Sequence, residues 1–208
     1  MDISADTTAT AAGPDPQSAA GRPLRAHALR NRNALLAAAR EAFEAGEVDI
    51  RIEEIAHRAG VGVGTLYRRF ATREALVEAV YRQRVDELCT TVPGLLATLP
   101  PQQALRAFLQ QLVAHSAASR GMALALETVM NSGSPVFAQA RVAMVDALAS
   151  IMAAAVAAGE IRADVSPHTV FRAMGGVCTS HELPDWEVEA QAVLRLLLDG
   201  LRPAAPSR

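Results

Sequence analysis

Residues 52–76 read Ile-Glu-Glu-Ile-Ala-His-Arg-Ala-Gly-Val-Gly-Val-Gly-Thr-Leu-Tyr-Arg-Arg-Phe-Ala-Thr-Arg-Glu-Ala-Leu. Ile52, Ile55, Ala56 and Ala59 recur at i, i+3, i+4 and i+7, the pattern of a short amphipathic helix from about Arg51 to Arg58 that Gly60 stops. Beyond the turn Gly60-Val61-Gly62-Val63, a second short helix from about Gly64 to Phe70 sets Leu66 and Phe70 four residues apart on one inward face. Two short helices joined tightly, each apolar on one side only, make a helix-turn-helix. Such a pair cannot bury itself, so the flanking helices must complete its core. Its outward face carries Thr65, Arg68 and Arg69 at i, i+3 and i+4, with Tyr67 on the flank. That face suits the major groove of duplex DNA, where arginine grips O6 and N7 of guanine with two hydrogen bonds and hydroxyls settle on phosphates. Gly62 and Gly64 let the backbone approach closely. Thr72 caps the next helix, whose first turn offers Arg73 and free N–H groups to a phosphate. The competing reading is a helical hairpin with a solvated arginine face.

Working outward, Leu35, Leu36, Ala39, Ala42 and Phe43 form the stripe of a preceding helix that starts near Asn31 or Asn33, either a fitting N-cap, and breaks at Gly46. Residues 1–26 read as a disordered arm with a basic end at Arg22 and Arg25 that continues to Arg30, which can lie along the minor groove or hang free. Downstream, Leu76, Ala79, Val80, Val85 and Leu88 mark a long helix that ends before Pro93. Helices then follow over roughly 101–118, 122–131, 135–158, 167–181 and 185–201. Ser134-Pro135 and Ser166-Pro167 both suit an N-cap followed by a proline in the first helical position. The expected fold is all-α, with the arm, a head over 27–86 and a larger helical body over 87–208.

Charge follows the same division. All 20 basic residues are arginine, and the formal net charge is −2. Residues 1–21 carry −3, residues 22–84 carry +4 and residues 85–208 carry −3. A basic segment on an acidic protein points one end at a polyanion. Cys89 and Cys178 are too few for a disulfide framework, and residues 1–20 lack the basic start and apolar run of a signal peptide. With no membrane span legible, a soluble, cytoplasmic protein is expected.

Residues 60–77, Gly-Val-Gly-Val-Gly-Thr-Leu-Tyr-Arg-Arg-Phe-Ala-Thr-Arg-Glu-Ala-Leu-Val, resemble the signature of the tetracycline-repressor (TetR) family of bacterial transcription regulators. Glu53-Glu54-Ile55-Ala56 and the Ala42-Phe43 helix end match as well. The resemblance spans about residues 30–80; beyond it, only helical character and length agree. It implies a three-helix head that reads an operator and a dimeric, ligand-responsive body, with no cofactor. It places Thr65, Tyr67, Arg68 and Arg69 in the recognition helix and Arg73 at a phosphate. Gly62, Val63 and Gly64 complete the DNA-facing set, with Arg51 as a further contact. Arg51 stands where the family usually has a capping Ser or Thr, so the cap of that helix falls to Asp49 from an earlier start, if to anything.

One short recognition helix binds weakly, so two heads on a symmetric dimer reading a palindromic operator are expected. By resemblance the last two helices pair, with Val170, Met174, Val177, Ala190, Val193, Leu194, Leu197, Leu198 and Leu201 as interface candidates. For an apolar effector the candidates are Phe108, Met122, Met130, Phe137, Met144, Phe171 and Met174. His115, Glu127, Asn131, Arg141 and Arg172 offer polar orientation, although methionine and phenylalanine at helical spacing also mark plain core. Cys178, His181 and Glu182 leave open a metal-responsive regulator, and a protein-binding adaptor is the third reading. HExxH, P-loop and dinucleotide fingerprints are missing, and an enzyme is not expected.

Overall fold

The computed structural model describes residues 16–47, 49–118, 122–131, 133–179 and 185–203. The side chains of residues 16–25, 118, 123, 124, 128, 131, 178 and 179 lie outside that description. Among the described residues the chain runs as α1 (Pro16–Glu44), α2 (Ile52–Arg58), α3 (Val63–Arg69), α4 (Arg73–Thr90), α5 (Val92–Thr98), α6 (Pro101–Ala118), α7 (Ala123–Asn131), α8 (Val136–Ala157), α9 (Pro167–Thr179) and α10 (Trp186–Gly200), without a strand.

The turns that set the head come from glycines in the left-handed region. Gly60 has φ +63°, its N–H donates to the His57 carbonyl, and the Val61 N–H reaches back to the Ala56 carbonyl at 2.9 Å. That double closure ends α2 abruptly and swings the chain into α3; a residue with a Cβ would be strained there. Gly46 ends α1 the same way, with φ +80°. Leu35, Leu36, Ala39 and Phe43 of α1, Ile55 and Ala56 of α2, Leu66 of α3, and Leu76, Val77 and Val80 of α4 then enclose one apolar core, joined by Val61 and Phe70. That core does not close by itself. Met122, Ala125, Val129 and Val136, from the body, pack into it.

The second core gathers α6, α8, α9 and α10. Leu105, Phe108 and Leu109 meet Met144, Leu148 and Ile151, backed by Val170, Met174, Trp186, Leu194 and Leu198. The Trp186 indole N–H donates to the Val177 carbonyl at 2.5 Å, pinning the start of α10 to α9. Eight residues of α8 are buried. By length and composition this helix would also cross a membrane, but here it is the central helix of the body.

Several boundaries differ from expectation. α1 begins at Pro16, so Asn31 and Asn33 are interior to it, and the backbone of the basic arm from residue 16 onward is helical. Pro16 sits where a missing N–H costs nothing, and the Ala-, Gln- and Arg-containing stretch after it favours helix despite Gly21 and Pro23. The side chains of Arg22 and Arg25 lie outside the described residues; Arg30 is exposed. α5 was not expected. Pro93 lies in its first turn, where proline is tolerated, so it starts a helix after ending one. α2 begins at Ile52, with Arg51 in the cap position and no side-chain cap, so Asp49 does not cap it. Thr72 does cap α4, its hydroxyl accepting from the Ala75 N–H at 3.2 Å. Ser166 accepts from the Thr169 N–H at 3.2 Å, whereas α8 starts one residue later than expected, with Pro135 in the cap position.

The nine interface candidates divide. Val170, Met174, Ala190, Leu194, Leu198 and Leu201 are each at most 3% exposed within the single chain, so they belong to its own core. Val177, Val193 and Leu197 are half-buried. A helical stripe read from sequence marks the more apolar face, which the protomer itself consumes. The large apolar residues left outward on α10 are Val188 and Leu196, 66% and 71% exposed.

α4 joins head to body through a buried charge. Arg84 is 4% exposed. Its guanidinium lies 3.4 Å from a Glu44 carboxylate oxygen on α1 and donates to the His115 carbonyl on α6 at 3.1 Å. Arg40 ties Glu44 (2.9 Å) to Glu87 of α4 (2.7 Å) beside it. Burial, with the Arg84 and Arg40 charges, pushes the His115 imidazole down to about 4, so that ring is neutral near pH 7. Replacing Arg84 by Met is expected to lower the unfolding free energy by about 1.5–3 kcal/mol, the worth of hydrogen bonds to a charged group. Urea denaturation checks this; an unchanged midpoint would mean the guanidinium contributes nothing to the junction.

Candidate nucleic-acid interface

α3 is a seven-residue helix whose single buried member is Leu66. With Phe70 at its C-cap and Val61 before it, it is anchored on one side only. The opposite side stands out from the molecule: Val63 and Tyr67 are 41% and 43% exposed, Gly62, Gly64, Arg68 and Arg69 are exposed, and Thr65 is half-buried. A Cβ built on Gly62 or Gly64 would meet only open space, so nothing within the chain hinders the approach of another backbone there.

Hydrogen bonds organise this face. An Arg68 guanidinium N–H donates to the Thr65 hydroxyl at 2.9 Å, one helical turn away. The Tyr67 hydroxyl donates to a Glu53 carboxylate oxygen at 2.5 Å, tying α3 to α2. Arg51 lies 3.6 Å from the same carboxylate. The Tyr67 hydrogen bond holds the Glu53 carboxyl below the usual carboxylate range, and the same bond lifts the Tyr67 phenol above its ordinary value. Tyr67 therefore spends its one O–H on Glu53 and reaches a phosphate only by exchanging that bond. Glu53 was not read from sequence as part of this face; its partner is fourteen residues away, beyond any helical spacing.

Arg73 has a structural part besides the phosphate contact expected of it. It opens α4, half-buried, donates to the Ile50 carbonyl, and holds its guanidinium carbon 5.6 Å from the centre of the Phe43 ring. It thus clamps the loop before α2 onto α1. Arg73→Ala is expected to lower operator affinity alike for all sequences and also to reduce stability by about 1–3 kcal/mol. Salt titration and thermal unfolding of the same preparation check both; a purely electrostatic role would leave stability untouched.

The effector candidates do not form one site. Phe108, Met144 and Met174 are buried in the body core, and Met122 in the head core. The Phe137 ring centre lies 5.1 Å from that of Tyr81 with the rings tilted by 43°, and Glu127 and Met130 are exposed. His115 belongs to the junction with Arg84. The side chain of Asn131 and that of Cys178 lie outside the described residues, as do His181 and Glu182. Arg141 and Phe171 do converge, with Arg172, on a cleft of about 650 Å³ between α8 and α9 that Val142, Val145, Asp146, His168 and Gly175 complete. Among the described residues no cluster of potential metal ligands occurs.

An exposed arginine-bearing helix seated on a helix-turn-helix, with a larger helical body behind it, defines a DNA-binding regulator in architecture. Comparison with known proteins narrows the class. A family model described as bacterial regulatory proteins of the tetR family matches residues 35–80, and one described as the SbtR-like transcriptional regulator C-terminal domain matches residues 100–203. A TetR transcriptional regulator from Streptomyces coelicolor is 47% identical, covers 84% of this chain and 99% of its own, and superposes with a TM-score of 0.71. A TetR regulatory protein from Mycobacterium vanbaalenii is 35% identical, with 87% and 100% covered and a TM-score of 0.67. The TetR-family repressor FadR of Thermus thermophilus, solved in complex with lauroyl-CoA, is 26% identical, with 85% and 98% covered and a TM-score of 0.58. An HTH-type transcriptional regulator from Staphylococcus aureus is 35% identical over 79 residues, 36% of this chain and 41% of that protein, so the match spans less than half of that relative. The chain belongs to the TetR family of transcriptional regulators.

Proposed function

We propose that this regulator is a repressor that binds a palindromic DNA operator as a homodimer and leaves it when a small-molecule effector binds the body. The observation that carries the DNA half is the outward face of α3, where Thr65, Tyr67, Arg68 and Arg69 stand on the Leu66 anchor. Arg68 and Arg69 are assigned to base edges, Gly62, Val63, Gly64 and Thr65 to close backbone approach, and Arg51 and Arg73 to phosphates. Pairing of two copies is assigned to α9 and α10, through Val188, Leu196 and the half-buried Val177, Val193 and Leu197. The effector half draws on FadR, a ligand-bound relative, and on the cleft between α8 and α9. A cytoplasmic location goes with this role.

Repression follows from a head occupying DNA that RNA polymerase needs. Release requires the effector to favour a conformation whose two heads no longer match the half-sites, and a tenfold shift takes only about 1.4 kcal/mol of differential affinity. α4 is the natural lever, since Arg84 on it contacts both α1 and α6. A gel shift with DNA from beside the protein's own gene tests the proposal. A saturable complex that polyanion competitor does not displace supports it; equal affinity for unrelated DNA overturns it.

A further inference from the structure

The cleft between α8 and α9 is lined by Arg141, Val142, Val145 and Asp146 from one helix and His168, Phe171, Arg172 and Gly175 from the other. They line an open cleft of about 650 Å³, within the range of small-molecule sites. The layering is chemical. Val145 is buried and Phe171 half-buried, so the inner surface is apolar, while Arg141, Arg172 and His168 are exposed around it. Val142 adds an aliphatic surface that is 58% exposed.

Two of the eight arginines in residues 85–208 meet at this cleft, in a segment that carries −3 overall. Among the described residues neither guanidinium lies within ion-pairing distance of a carboxylate; in the same body Arg106 and Arg195 are likewise without an ion pair, while Arg162 and Arg202 have one. Asp146 also lines the cleft, so the fixed charges of two arginines and one aspartate leave a single positive excess. That matches one carboxylate and not a dianion.

We infer that the cleft between α8 and α9 binds an organic monocarboxylate with an apolar body, its carboxylate between Arg141 and Arg172 and its body against Phe171, Val142 and Val145. The inference rests on the effector reading above and supplies the chemical class of that effector. Arginine is suited to the task, because its planar fork offers two parallel N–H donors to a carboxylate, while the apolar surface supplies affinity that charge alone cannot give in water. Asp146 disfavours more highly charged head groups.

Decanoate is the probe, with decanol and decyltrimethylammonium as neutral and cationic counterparts, each titrated calorimetrically into the full chain below micellar concentration. Saturable binding of decanoate is expected, with decanol weaker by about tenfold and the cation weaker still. The double variant Arg141→Gln/Arg172→Gln is expected to lose about tenfold for decanoate and to keep its affinity for decanol, and Asp146→Asn to bind decanoate more tightly. An unchanged melting temperature and operator affinity show that the variants are folded. Absence of decanoate binding, equal binding of acid and alcohol, or insensitivity to the double variant overturns the inference; a cleft covered by a second copy gives the first of these. The effector reading is judged separately, by operator release. Decanoate that binds without releasing DNA sinks effector control and leaves the site standing. Release by another small molecule, with no binding of decanoate, does the reverse.

Discussion

Leu66→Ala is expected to cost about 2–5 kcal/mol of unfolding free energy, the range for emptying a fully buried leucine site. The effect belongs at the upper end of what the head can absorb, because Leu66 is 0% exposed and is the one residue by which α3 itself enters the core. The core it enters also draws Ile55, Ala56, Leu36 and Phe43 from two other helices, so the cavity cannot be closed by moving a single side chain. Function should fail with stability. A seven-residue helix has too few hydrogen bonds to persist unsupported, and a loosened α3 no longer holds its arginines at a fixed spacing. Denaturant unfolding and operator titration of the same sample check this. A loss below about 1 kcal/mol would show that α3 is held by something other than its apolar anchor.

Arg68→Ala and Arg69→Ala test the opposite face. Each is expected to weaken operator binding by about 1–3 kcal/mol, or roughly five- to 150-fold, and to relax preference at one base pair. Both side chains are exposed, so the melting temperature should not change. For Arg68 the loss includes its hydrogen bond to Thr65, which pre-orders the guanidinium before DNA arrives. Binding indistinguishable from that of the unaltered protein in both variants would remove this face from the interface.

The head was legible from sequence because its information is local. Ile55, Ala56, Leu66 and Phe70 follow the helical period, and Gly60 stands where only a left-handed residue ends α2 so sharply. The helical breaks in the body were legible for the same reason. What escaped were features in which one signal has two meanings. Pro93 ends one helix and starts the next, so α5 was hidden behind a break. The α9 and α10 stripes through Met174 and Leu194 are apolar because they are core, and the outward residues Val188 and Leu196 were masked by that stronger pattern. Met122, Met144 and Met174 proved to be filling, whereas the cleft is marked by Arg141, His168 and Arg172, which only the packing of α8 on α9 brings together. Contacts across sequence, such as Tyr67 with Glu53 or Arg84 with Glu44, leave no periodic trace at all.

Chemical footprinting of guanine N7 addresses the regulator reading most directly, since that atom is exposed only in the major groove. With the full chain on DNA from beside its gene, two clusters of protected guanines are expected, their centres about one helical turn or a multiple of it apart. Arg68→Ala or Arg69→Ala should restore methylation at symmetry-related guanines in both clusters. Guanines as reactive as in free DNA under saturating protein would contradict the assignment of α3 to the duplex.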